Sequence, residues 1–96
     1  MNEILKINVN EKGEHIISAR ELHEFLEVKT RFNDWIRGKI EKYGFIENQD
    51  FEVIHNFMKN PQGGRPLIEY ALTIDTAKEI SMVEGNEKGK QARRYF

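Results

Sequence analysis

The apolar residues of this chain switch repeatedly between two spacings, and that switching limits the fold more than any other feature. Leu5, Ile7 and Val9 alternate with Lys6 and Asn8, the period of a half-buried strand. Asn10-Glu11-Lys12-Gly13 reads as a turn in which Gly13 can take positive φ, and His15-Ile16-Ile17 reads as the returning strand. At Ser18 the spacing becomes helical. Ser18-Ala19-Arg20-Glu21 has the form of a capping box, with Ser18 accepting from the Glu21 amide and the Glu21 carboxylate reaching back. Ala19, Leu22, Phe25 and Leu26 form the buried stripe of this helix, and Glu27-Val28-Lys29 breaks it. Thr30 is placed to cap a second helix, Arg31 to Tyr43, with Phe32, Trp35, Ile36, Ile40 and Tyr43 on its apolar side and Gly44 as terminator.

Alternation returns at Phe51, Val53, His55 and Phe57, and again from Leu67 to Leu72. The turn-rich stretch Met58 to Pro66 between them predicts a second hairpin with a long tip. Thr73 caps a third helix whose first turn holds Asp75, where the helix dipole favours a negative charge. Its core-facing residues are expected to be Ile74, Ala77, Ile80 and Met82. Gly85-Asn86 ends it or caps a fourth helix, Glu87 to Phe96. The expected core comprises Leu22, Leu26, Phe32, Trp35, Ile36, Ile40, Leu72 and Ile80. The predicted fold class is α+β, a small helix-turn-helix-like, winged domain with two short β-hairpins and about four helices.

Ninety-six residues suit one domain, 1–96. The pattern stops on Tyr95-Phe96 without a C-cap, so the expectation is the N-terminal part of a longer protein. With 39% hydrophobic and 32% charged residues, the composition is that of a globular domain rather than a disordered chain. There are no cysteines, which excludes disulfides and thiolate metal sites and fits a reducing compartment. The apolar runs are too short to span a bilayer, and the first residues lack the basic and apolar segments of a secretory signal.

No catalytic constellation emerges. His15, His23 and His55 have no metal-ligand spacing. Ser18 and Ser81 lack a nucleophile-elbow pattern, and Gly63-Gly64-Arg65-Pro66 lacks the lysine and hydroxyl of a P-loop. The expectation is therefore a binding domain, not an enzyme, with no cofactor and no metal.

Charge is segregated although the net is −1. Glu11 to Glu27 holds five acids and two bases, Lys29 to Lys42 five bases and two acids, and Lys88 to Arg94 four bases and no acid. The ordinary reading of such runs is solvated helix faces. The functional reading makes Lys29, Arg31, Arg37, Lys39 and Lys42 one candidate contact set. Lys90, Arg93 and Arg94 form another, and Lys59 and Arg65 on the hairpin tip a third. Gly64-Arg65-Pro66 resembles the core of an AT-hook, with Gly63 where that motif has its first arginine; an arginine on so slim a backbone suits a narrow minor groove.

Several segments follow one another in a recognisable order. They are Ile17-Ser18-Ala19-Arg20-Glu21-Leu22-His23, Thr30-Arg31-Phe32-Asn33-Asp34-Trp35-Ile36, Tyr43-Gly44-Phe45, Asp50-Phe51, Gly64-Arg65-Pro66, Tyr70-Ala71-Leu72-Thr73, Ala77-Lys78-Glu79 and Asn86 through Phe96. From Ile17 to Phe96 the chain resembles the N-terminal domain of phage antirepressors of the AntA/AntB type. The resemblance implies a bacteriophage or prophage protein that lifts repression of lytic genes in the cytoplasm of the bacterial host, with a phage repressor protein as partner. Related phage domains of the KilA-N and Bro types are thought to bind DNA, so double-stranded DNA is the alternative partner, met by helix 31–43 and tip 58–66. Trp35, Phe45, Phe57, Tyr95 and Phe96 are also more aromatics than such a core needs, which admits a homodimer.

Overall fold

The computed structural model describes residues 5–55 and 68–96. Strands β1 (Ile7–Val9) and β2 (His15–Ser18) form the first hairpin and lead into helices α1 (Ala19–Phe25) and α2 (Phe32–Tyr43). Strands β3 (Phe51–Ile54) and β4 (Glu69–Thr73) form the second antiparallel pair, followed by helices α3 (Ile74–Glu84) and α4 (Glu87–Tyr95). This is the expected α+β class. The expected tip of the second hairpin, with Lys59 and Arg65, lies outside the described residues.

The two hairpins are joined into one antiparallel sheet, because β2 pairs with β4 and the strand order is β1-β2-β4-β3. The register sets Ile7, Ile17, Leu72 and Phe51 in a single row across it. Ile17, Leu72 and Phe51 belong to the buried cluster with Leu22, Leu26, Ile36, Ile80 and Ala92 from the helices. Side chains alternate across a strand. Ile16, Ala71, Thr73, Glu52 and Ile54 therefore occupy the opposite face, and Ala71 stands outside the core cluster.

Ser18 caps α1 as expected, its hydroxyl accepting from the Glu21 amide at 3.2 Å. The reciprocal half of the box is different. Glu21 is exposed, and the carboxylate at this helix start belongs to Glu69 of β4, only 3% exposed. Glu69 accepts from the Ser18 hydroxyl at 2.6 Å and from the backbone amides of Arg20 at 3.3 Å and Tyr70 at 2.8 Å. The β2–β4 pairing delivers it there, and the positive end of a helix dipole favours it. Arg20 in turn donates to the Ile68 carbonyl and lies 4.3 Å over the Phe32 ring.

Thr30 does not cap α2. The N-cap position is Arg31, with no side-chain capping bond. Instead, His23 Nε2 of α1 donates to the Thr30 carbonyl at 2.7 Å, and the His23 ring packs 5.0 Å from Trp35 and 5.7 Å from Phe32. The start of α2 is thus fixed by an aromatic contact with α1. The link between these helices runs through residues 26–31, longer than the break read at 27–29, and Glu27 adopts a left-handed φ of 55°. Gly44 ends α2 in the left-handed conformation expected of it.

Thr73 and Asn86 cap α3 and α4 by accepting from the amides of Thr76 and Gly89. Met82 is not core. It is 52% exposed, because helical spacing from Ile80 carries it off the buried stripe. Phe32 and Ile40 are half-buried and pack against the core cluster from its edge. Gly89 and Ala92 of α4 lie buried where that helix meets α3, and a Cβ on Gly89 would stand 2.6 Å from the Ser81 carbonyl oxygen. The Tyr95 hydroxyl donates to the Leu5 carbonyl at 3.0 Å, tying α4 to the approach of β1.

Candidate partner-binding faces

The basic segment of α2 divides when folded. Lys39 turns inward and pairs with Glu84 at the end of α3 at 3.1 Å, its side chain mostly covered. The same carboxylate oxygen accepts from the Trp35 indole at 2.9 Å, so Glu84 anchors α2 through two side chains. Lys29, Arg31, Arg37 and Lys42 remain exposed, and on the outer side of α2 they share solvent with Asp34 and Glu41. Only part of the predicted contact set is therefore presented outward, and acids interrupt it.

The segment from Lys88 divides too. Lys88 lies 3.8 Å from Glu27 and 5.2 Å from the centre of the Phe25 ring, bridging α4 to the end of α1. Lys90, Arg93 and Arg94 of α4 are exposed, with Arg93 one helical turn from buried Gly89 and next to Ala92. They form a compact basic face with Glu87 as the acid of the same helix. The α2 and α4 faces are linked through α3, since Glu84 holds α2 and its Cβ would lie 3.3 Å from a Cβ on Gly89.

A third face joins the first acids of the segment Glu11 to Glu27, which by charge alone could meet a basic surface on a repressor, to a sheet groove that was not read from the sequence. The open side of the sheet is concave and forms a groove of about 460 Å³ between the β1–β2 turn and the turn before β3. Ile16, Ala71 and Ile54 supply its apolar floor, and Ala71 is 4% exposed between its neighbours. Glu11, Glu14 and Glu52 stand around it, all exposed. Among the described residues lining the groove, Lys12 is the only base. The acidic run of the sequence is thus split. Its first two acids reach this groove, Glu21 and Glu24 stay on the exposed side of α1, and Glu27 meets Lys88. The alternation Phe51-Glu52-Val53-Ile54 was the available signal, since it puts Glu52 and Ile54 on one face. What it lacked was the neighbouring strand.

Among the described residues no group of three or more His, Asp or Glu side chains could hold a metal ion. No described helix is long and apolar enough to cross a membrane. The fold and these surfaces define a small α+β domain whose distinctive chemistry lies in segregated charged faces. The chain belongs to the AntA/AntB antirepressor family, whose model matches residues 17–86. That is a regulatory family, and the match takes in α1, α2, β3, β4 and α3; β1 and α4 lie outside it. No curated protein matched the chain, and no solved structure did.

Proposed function

We propose that this domain relieves repression of phage lytic genes by binding a repressor protein. The observation that carries the reading is membership of the antirepressor family over residues 17–86. The charge arrangement supports a protein partner. A duplex-binding face needs bases collected toward phosphates. On α2 the bases alternate with Asp34 and Glu41, and Lys39 is occupied by Glu84. A repressor that binds operators carries a basic surface of its own, and acidic side chains on this domain would complement it. Calorimetric titration against the repressor encoded by the same phage tests this directly. Binding at micromolar concentrations or below is expected, and a flat titration there sinks the reading.

The second reading is direct binding of double-stranded DNA. It is favoured by the exposed cluster Lys90, Arg93 and Arg94 on α4, with Lys29, Arg31, Arg37, Lys42, Lys59 and Arg65 as further contacts. A handful of phosphate contacts gives a log–log salt slope of about −3 to −5. A mobility-shift series with operator DNA decides it: no shift at about 50 mM salt ends this reading, since nonspecific phosphate contacts are strongest there.

A further inference from the structure

We infer that the open face of the sheet is a docking groove for a cationic amphipathic segment of the partner protein, one with basic side chains flanking an aliphatic ridge. The inference rests on the repressor-binding reading and assigns it a surface. The floor is aliphatic in part and comes from three strands, with Ile16 of β2, Ala71 of β4 and Ile54 of β3 beside Thr73 of β4. Such a floor gains by excluding water, which requires an apolar group in the occupant. The rim is acidic. Glu11, Glu14 and Glu52 are exposed, and neither of the two ion pairs among the described residues involves them. Glu14 accepts from the Asn10 side-chain amide at 3.0 Å, which orients the carboxylate and leaves its charge in place. Like charge above a low-dielectric floor concentrates the field on an incoming cation. The same sign repels a phosphate backbone, so this face does not suit nucleic acid.

Aliphatic floor and acidic rim together ask for aliphatic and basic groups on one surface of the occupant. Glu11, Glu14 and Ile16 precede the family match, whereas Glu52, Ile54 and Ala71 fall within it. The groove is therefore built jointly by the family core and by this chain's own leading hairpin.

The test measures binding kinetics of the chain to the repressor encoded by the same phage, with circular dichroism checking the fold of each variant. Replacing the rim acids together, Glu11→Gln, Glu14→Gln and Glu52→Gln, should slow association by about tenfold or more and flatten its salt dependence. Ile54→Thr, a change that keeps a strand-favouring residue at an exposed edge, should instead speed dissociation, because contact losses act mainly there. Neutralising Lys90, Arg93 and Arg94 to glutamine should change neither rate. If the repressor binds all groove variants like the parent, the groove assignment is wrong and the antirepressor reading stands. If only the α4 variant is weakened, the docking face is α4. A parent chain that binds no repressor removes both. A parent chain that sediments as a dimer, separated by the rim substitutions, overturns the assigned occupant in favour of a second copy.

Discussion

Replacing Gly89 by alanine and Gly38 by alanine should have opposite effects on stability, although both are helical glycines. Alanine is favoured over glycine in a helix interior by about 0.5–1 kcal/mol, chiefly because glycine loses more backbone entropy on folding. At Gly38, on the exposed side of α2, nothing stands within 4 Å of the new methyl group. That gain should appear nearly whole. At Gly89 the methyl carbon would lie 2.6 Å from the Ser81 carbonyl oxygen and 3.3 Å from both the Glu84 Cβ and the Asn86 side-chain oxygen. Close carbon–oxygen contacts sit at about 3.3–3.6 Å, so α4 must retreat by several tenths of an ångström or more. The Ser81 oxygen is backbone and cannot swing aside. Overpacking of this kind costs about 1–3 kcal/mol, and it also loosens the seat of buried Ala92. The net for Gly89→Ala is a loss of about 1–2 kcal/mol. A domain of this size shifts its Tm by about 4–8 °C per kcal/mol. Thermal melts followed by circular dichroism should therefore show Gly38→Ala a few degrees above the parent and Gly89→Ala about 5–15 °C below it. If both variants rise together, the close approach of α3 and α4 at Ser81 is wrong.

Three other outcomes follow from contacts already described. Glu84→Ala should destabilise by about 1–3 kcal/mol, since it strands the Trp35 indole and the half-buried Lys39, and Glu84→Gln should recover much of this by still accepting from the indole; urea titration followed by tryptophan fluorescence separates them. Trp35→Ala should cost about 3–5 kcal/mol, as expected for a large side chain only 5% exposed, and a loss near zero in the same titration would contradict its burial. Glu27→Gly should stabilise by up to about 1 kcal/mol by relieving its φ of 55°, because the long, exposed pairing with Lys88 contributes little; a lower Tm would show that the pairing matters more than the backbone.

Most of what depends on near neighbours was legible in the sequence, the Thr30 cap and the Glu21 half of the capping box being the exceptions. The caps at Ser18, Thr73 and Asn86, the terminators Gly44 and Gly85 and the order of strands and helices all rest on residues within a turn of one another. The family was legible for a related reason, since its motifs are short local runs. Long-range placement was not. Nothing near Ser18 announces that Glu69 will supply the carboxylate at its helix, and nothing near Trp35 announces Glu84. Charge runs misled because a run is contiguous only along the chain. Helical spacing sends Lys39 inward while Arg37 stays out, and the corner from β2 to α1 separates Glu14 from Glu27.

The position of β4 at the centre of the sheet also governs when this domain can exist during its own synthesis. The Ser18–Glu69 bond joins residues 51 apart and the Trp35–Glu84 bond residues 49 apart. Closing loops of that length costs about 3–4 kcal/mol of chain entropy, which short helices with one apolar stripe cannot meet alone. Leu22, Leu26 and Ile36 thus leave the ribosome well before Leu72 and Ile80 arrive to cover them. At about 5–20 residues per second, that interval lasts some seconds. A nascent chain stopped after α2 should be a chaperone client, while one released beyond α3 should close into the sheet cooperatively. Newly made protein would then become competent in a single late step, a delay set by topology rather than by any partner.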